Sequence, residues 1–259
     1  MFSAIVERLR AVGCVFAEDE ARLVLEFAST PEDLEEMIAN RETGLPLEHV
    51  LGWVEFCGLR LAVDRGLFVP RKRTEFLVEP GIQRAKPGAR VVDLCCGCGA
   101  LGRALAASVA DIELHATDVD ENAVACARRN ITDIGGHAYV GDLFGALPSR
   151  LAGNVDLILA NVPYVPEGEI ERMPPEARLY EPTVALNGGG DGLRVLERVA
   201  NEAPKWLAHK GNLLVETSTR QAWTAVGILA EAGLSAGMAT SIEHEATVVI
   251  GTSSQPRIC

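Results

Sequence analysis

The sequence predicts an α/β fold: a mostly parallel, seven-stranded sheet covered by helices, preceded by a small helical domain and a linking β-hairpin. Three observations carry this. Apolar residues recur at helical spacing near the start of the chain. From Arg90 onward, short apolar strands alternate with helical stretches. A glycine-rich turn joins the first of those strands to the next helix. Strand–helix alternation implies parallel pairing with both sheet faces covered, because each return crossover needs room for a helix.

The elements follow in order. Ile5, Leu9 and Val12 share a helical face, as do Leu23, Val24, Phe27 and Ala28. Thr30-Pro31-Glu32-Asp33 reads as a helix start: Thr30 can cap, Pro31 loses no needed N–H, and the two acids suit the positive helix end. That helix is expected to pass Leu34, Met37 and Ile38 and to stop near Gly44 and Pro46. Helices this short need tertiary packing to persist. Val54, Phe56, Leu59, Leu61 and Val63 around Gly58 suit a short hairpin. Strands are expected over 90–94, 112–117, 138–141, 155–160 and 212–216, with helices over 100–109 and 121–130 between them. Runs at 234–238 and 246–251 are expected to pair at a sheet edge. The expected division is a helical domain at 1–50, a hairpin linker at 51–70, a main domain at 71–252 and a loose tail at 253–259.

Composition narrows the function classes. Of 259 residues, 48% are hydrophobic, enough for a sizeable core and against bulk disorder. Against 24 Lys and Arg stand 36 Asp and Glu, a net charge of −12. That balance argues against direct nucleic-acid binding, whose affinity comes from cationic contacts to phosphate. The segment from Met1 to Arg10 lacks the basic region and apolar core of a secretory signal. No apolar run approaches the ~18–20 residues of a spanning helix. Seven cysteines (Cys14, Cys57, Cys95, Cys96, Cys98, Cys126 and Cys259) are an odd number in a chain too long to need disulfide staples. Reduced thiols in a cytoplasmic protein, away from membranes, are the expectation.

The strongest local signal is Val91-Val92-Asp93-Leu94-Cys95-Cys96-Gly97-Cys98-Gly99-Ala100-Leu101-Gly102, a buried strand that turns through glycines into a helix. Asp118 follows nineteen residues after Gly99, at the end of the next strand, where an acid suits a ribose hydroxyl pair. Gly97-x-Gly99-x-x-Gly102 also matches the dinucleotide fingerprint, so NAD is a rival ligand. Asp93 discriminates: a carboxylate at the strand end would repel a pyrophosphate, but attracts the ammonium and sulfonium of S-adenosylmethionine. Cys95, Cys96 and Cys98 invite a metal. Adjacent cysteines point differently, however, a fourth ligand is missing and the paired CxxC spacing is absent, so no metal is expected. Cys95 stands where a glycine is expected, so the loop must accept a side chain there.

A later strand ends in Asn161-Val162-Pro163-Tyr164. Pro163 confines Val162 to an extended conformation and fixes its carbonyl. That carbonyl and the Asn161 side-chain oxygen make two acceptors, suited to a substrate bearing an NH2 group, and Tyr164 supplies a flat wall.

This turn resembles the Asn-Pro-Pro-Tyr motif of S-adenosylmethionine-dependent methyltransferases that act on planar nitrogens. Three more segments narrow the resemblance. They are Gly44-Leu45-Pro46-Leu47-Glu48-His49-Val50-Leu51-Gly52, Phe68-Val69-Pro70-Arg71-Lys72-Arg73-Thr74-Glu75, and Glu181-Pro182-Thr183-Val184-Ala185-Leu186-Asn187-Gly188-Gly189-Gly190-Asp191-Gly192-Leu193. Together they resemble the protein-glutamine N-methyltransferases of the HemK/PrmC type, which methylate the glutamine of the Gly-Gly-Gln motif in peptide-chain release factors. The resemblance spans about residues 44–221. It implies a Rossmann-like class I methyltransferase fold and S-adenosylmethionine as cofactor. The cofactor would be held by Asp93, Cys95, Gly97, Gly99, Asp118, Val119, Asp142, Leu143 and Asn161. Asn161 and Val162 would be catalytic, binding the substrate amide with Pro163, Tyr164, Arg71 and Thr74. The segment from Phe68 to Glu75 would close over the methionine end.

The chain departs from the family in places. Val162 replaces the first proline, Cys95 replaces the first loop glycine, and Glu216-Thr217-Ser218 lacks its glycine. The N-terminal domain is also shorter than usual. These departures leave the protein substrate open between a release factor, a ribosomal protein and another target. Two further alternatives are an adenine amino-methyltransferase acting on nucleic acid, whose exocyclic amine offers the same two N–H groups, and a SAM-binding relative without catalysis.

Overall fold

Helices α1 (Phe2–Ala11), α2 (Ala17–Phe27), α3 (Pro31–Glu42) and α4 (Leu47–Leu51) open the chain, in a computed structural model that describes residues 1–254. The expected cap forms: the Thr30 hydroxyl oxygen accepts the Asp33 N–H at 3.1 Å. Leu9, Val24 and Ile38 meet in a small separate core. Val12 does not join it, because α1 ends one residue earlier and leaves this side chain exposed.

Strands β1 (Trp53–Phe56) and β2 (Leu59–Ala62) pair antiparallel around Cys57 and Gly58, whose φ angles of 49° and 72° suit a tight hairpin turn. The hairpin's Phe56 and Leu61 are buried in the core of the main sheet, not among the N-terminal helices. Asn130 reinforces that attachment. Its Oδ1 accepts the Ala62 N–H at 2.9 Å, and its Nδ2 donates to the Ala62 carbonyl at 2.9 Å and the Cys98 carbonyl at 2.8 Å. One side chain thus joins the hairpin to the glycine-rich loop.

After α5 (Val78–Ile82), the main unit runs β3 (Arg90–Leu94), α6 (Ala100–Ser108), β4 (Glu113–Asp118), α7 (Glu121–Ile131), β5 (His137–Val140) and β6 (Val155–Ala160). It continues through α8 (Pro175–Tyr180), α9 (Thr183–Leu186), α10 (Arg194–Trp206), β7 (Leu207–Thr217), α11 (Ala222–Glu231), β8 (Leu234–Ser241) and β9 (Ala246–Ser253). Sheet order is β5-β4-β3-β6-β7-β9-β8. β9 is antiparallel to both of its neighbours, and the other pairs are parallel. Alternate side chains serve opposite faces: Val91 and Leu157 pack with α6 and α7, Val92 and Ile158 with α10 and α11. This is the Rossmann-like arrangement expected.

Several boundaries differ from expectation. β7 starts at Leu207 rather than 212, immediately after α10, and crosses an irregular stretch where Lys210 has φ 61°. β9 extends through Ser253, which is buried and paired with Leu234, so the expected tail cannot begin there. Residues 255–259 of that tail, with Cys259, lie outside the described residues. Among the described residues, no helix is long and apolar enough to cross a membrane.

Replacing Asn130 with Ala strands the Ala62 N–H and the Cys98 carbonyl, and leaves the Ala62 carbonyl with the Cys126 thiol at 3.2 Å. The expected cost is about 2–4 kcal/mol in chemical denaturation, against about 0.5 kcal/mol at an ordinary surface position.

Candidate active site

The strand order reverses between β3 and β6: β3 leads on to β4 on one side, while β6 lies on the other. Such a switch point leaves a crevice at the carboxyl ends of the strands. A cavity fills it, lined by Cys95, Gly97, Asp118, Val119, Asp142, Leu143 and the turn from Asn161 to Tyr164. Register explains the convergence. Leu94 is level with Thr117 on one side and Ala160 on the other, and Ala160 is level with Val215. The next residue on each strand is Asp118, Cys95, Asn161 or Glu216.

Two expected cofactor residues, Asp93 and Gly99, do not line this cavity. Asp93 is fully buried behind the loop. Its Oδ2 accepts the Gly102 N–H at 2.9 Å and its Oδ1 has no partner among the described residues. Burial pushes its pKa up to about 7; the Gly102 bond opposes this and the Asp118 charge adds to it. Asp93 thus holds the first turn of α6 from behind the loop rather than facing the cavity. Gly102 permits that approach: a Cβ there would lie 2.7 Å from Leu114 Cδ1 and 3.2 Å from Asp93 Oδ2. Gly99 is the N-cap of α6.

Cys95 lines the cavity at φ 53°, a left-handed conformation that costs a residue with a Cβ roughly 1–2 kcal/mol. That is why a glycine is expected there. Burial, then the Asp118 charge, pushes its thiol pKa far up, so it is a neutral wall. Leu143, also on the wall, is left-handed at φ 48°. Strained residues of this kind gather at ligand sites. Asp118 Oδ2 accepts the Gly97 N–H at 2.9 Å and Oδ1 accepts the Asp120 N–H at 3.0 Å. A carboxylate has about four acceptor sites, so each oxygen retains capacity for a hydroxyl. Asp142 pairs with Arg198 at 2.5 Å.

The other side of the cavity is a turn braced from behind. Asn161 Nδ2 donates to Thr74 Oγ1 at 3.4 Å, which leaves Asn161 Oδ1 without a protein partner among the described residues. The Tyr164 hydroxyl donates to Glu216 Oε1 at 3.0 Å and accepts from Arg73 Nη2 at 2.8 Å. Gln221 Nε2 donates to the Tyr164 carbonyl at 3.0 Å. Gly192, at φ 81°, lies so close that a Cβ would be 2.2 Å from that carbonyl oxygen. Arg71 and Thr74 line the cavity as expected, but both are already engaged. Arg71 pairs at 2.5 Å with Glu181, whose side chain is fully buried, and its guanidinium sits over the Phe68 ring. Burial raises the Glu181 pKa against Arg71's pull.

Glu216, Gly192 and Gln221 were not expected at the site, and Arg73, within the segment expected to close over the cofactor, was not expected to hold Tyr164. Gly192 belongs to a recognised motif, yet its contact with Tyr164 has no local signal. Glu216 becomes visible only once β6 and β7 are known to be neighbours.

The family model for the methyltransferase small domain matches residues 71–205. A protein named release factor glutamine methyltransferase from Geobacter sulfurreducens is 36% identical over 199 residues, covering 76% of this chain and 69% of its own. One of the same name from Cereibacter sphaeroides is 36% identical over 234 residues, covering 87% and 82%. Among solved structures, a methyltransferase from Pyrococcus furiosus superposes with TM-score 0.57 at 16% identity, covering 76% of this chain and 90% of its own. The T. thermophilus 16S rRNA N2 G1207 methyltransferase, solved with AdoMet and guanosine, superposes with TM-score 0.55 at 18% identity, covering 78% and 49%. At such identities the structural likeness is one of fold.

Two outcomes are expected. Asp93 has a folded pKa near 7 and an unfolded one near the ordinary value of about 3.9, so its contribution is fully present below about pH 4 and is lost as pH rises through about 7. Stability of the ligand-free wild type relative to Asp93→Asn should fall by up to about 1.4 kcal/mol per pH unit across that window; denaturation at stepped pH measures it, and a flat difference contradicts the assignment. Gly192→Ala should cost more than about 2 kcal/mol, because backbone opposes the new Cβ.

Proposed function

The chain belongs to the family of release factor glutamine methyltransferases, and from that premise we propose that it methylates the side-chain amide nitrogen of a protein glutamine, in a peptide-chain release factor or a ribosomal protein. The observation that carries this is the sharing of one cavity by the loop at Cys95 and Gly97 and the turn from Asn161 to Tyr164. The first suits a nucleoside cofactor, and the second offers two acceptors to an NH2 group. The same family and fold imply S-adenosylmethionine.

The residues present fit that cofactor. Asp118 retains acceptor capacity for the ribose hydroxyls, and Gly97 leaves the loop low. Val119, Asp142 and Leu143 would border the adenine, and Cys95 and Asn161 would lie along the remainder. Asp93 and Gly99 would act from behind, by holding the loop and the start of α6. When bound, S-adenosylmethionine supplies an electrophilic methyl group.

A glutamine amide is a poor nucleophile, so positioning is the main task. Asn161 Oδ1 and the Val162 carbonyl would accept its two N–H bonds, orient its nitrogen and stabilise the positive charge that develops there. Pro163 holds the Val162 carbonyl in place, and Tyr164 walls the pocket. No strong base is needed, because an alkylated amide nitrogen releases its proton readily to water. In this reading residues 71–253 are the catalytic domain, 1–50 a helical domain and 51–70 their linker, in a cytoplasmic protein. The excess of acidic residues favours a basic protein substrate over nucleic acid, and attraction of that kind raises the association rate.

Asn161→Ala should lower methyl transfer by at least about a hundredfold while S-adenosylmethionine still binds by calorimetry. Incubation with labelled cofactor and purified release factors, followed by mapping of the label, identifies the target. Label on RNA, or full activity of the variant, contradicts the reading.

A further inference from the structure

Arg73, Tyr164 and Glu216 form a closed network beside the substrate turn, and two of the three have no part in the chemistry above. Arg73 Nη2 donates to the Tyr164 hydroxyl at 2.8 Å and Arg73 Nε to Glu216 Oε1 at 3.3 Å, while the Tyr164 hydroxyl donates to the same Glu216 oxygen at 3.0 Å. Glu216 is 2% exposed, and its second oxygen is buried without a partner among the described residues. Arg73 lies on the segment between Phe68 and Glu75, half-exposed at the cavity wall.

We propose that Arg73 and Glu216 are positioning residues that set the angle of the Tyr164 ring, and so the fit of the amide pocket. A phenol has one proton to give, and here it goes to a buried carboxylate. Tyr164 is therefore not free as an acid or base toward the substrate; its hydroxyl is an anchor. Two fixed points define the direction of the ring's long axis: the backbone, pinned by Gln221, and the hydroxyl, pinned by Glu216 and Arg73. Without the second, the ring can swing about its side-chain bonds, and a displacement of about 1 Å in a positioned reactant costs up to about a hundredfold in rate. The guanidinium is suited to the task because its fork reaches both oxygens at once, which a single ammonium does less well. Its charge also offsets the buried carboxylate.

This rests on the glutamine-methylation reading, so the test begins with wild-type methyl transfer to purified release factors and ribosomal proteins. A wild type that binds S-adenosylmethionine but labels neither release factors nor ribosomal proteins overturns that reading and this proposal with it. Given wild-type activity, Tyr164→Phe, Arg73→Lys and Glu216→Gln should each lower kcat about tenfold or more, with the dissociation constant for S-adenosylmethionine unchanged. Arg73→Ala in the Tyr164→Phe background should lower kcat no further than Tyr164→Phe alone, because Arg73 acts through the hydroxyl. If Arg73→Ala leaves Glu216 unpaired and fails to fold, Arg73→Lys in that background replaces it. Wild-type kcat in the single variants, or single effects that multiply in the double variant, overturns the proposal.

Discussion

Everything at this site depends on the register of parallel pairing between β3 and β6. Leu94 and Ala160 are direct neighbours, so the two chains leave the sheet at one level, about 4.8 Å apart. Cys95 opens the glycine-rich loop and Asn161 opens the Asn-x-Pro-Tyr turn. Donor and acceptor of a methyl group must meet within a few ångströms, and the sheet provides that proximity before any side chain acts. The same row carries Asp118 on β4 and Glu216 on β7. A one-residue slip would move every one of these groups and turn its strand inside out.

Around that row, the walls are braced through distant parts of the chain. Thr74 reaches Asn161, Arg73 reaches Tyr164, and Arg71 reaches the buried Glu181. The bracing segments are in turn tied to the N-terminal helices. His49 Nε2 lies 2.9 Å from the Leu67 carbonyl, Arg41 pairs with Glu176 at 3.0 Å, and the Tyr180 hydroxyl donates to the Thr43 carbonyl at 2.7 Å. The helices at the start of the chain are thus mechanically continuous with the pocket.

Much of this was legible in the sequence because it is local. Strand alternation, the Thr30 cap, the glycine loop and the Asn-x-Pro-Tyr turn are each written within a few residues. Asp118 was legible too, since its spacing after Gly99 is set by one helix and one strand. What was illegible depends on pairing across the sheet or on closeness in depth. Asp93 looked like a direct partner for a cation, but strand alternation points it behind the loop. Glu216, 52 residues after Tyr164, meets it only because β7 lies beside β6. Arg71 and Thr74 were recognisable as site residues, whereas the partners they hold were not. The Cys95 departure acquires a physical meaning only with its left-handed backbone.

A crystal structure with S-adenosylhomocysteine and a Gly-Gly-Gln peptide tests the central claim most directly. The account predicts the glutamine amide nitrogen within about 3 Å of both Asn161 Oδ1 and the Val162 carbonyl, in hydrogen-bonding geometry, with the ring of Tyr164 against the amide plane. An amide bound elsewhere, or an Asn161 turned to present its NH2 group to the substrate, would contradict it.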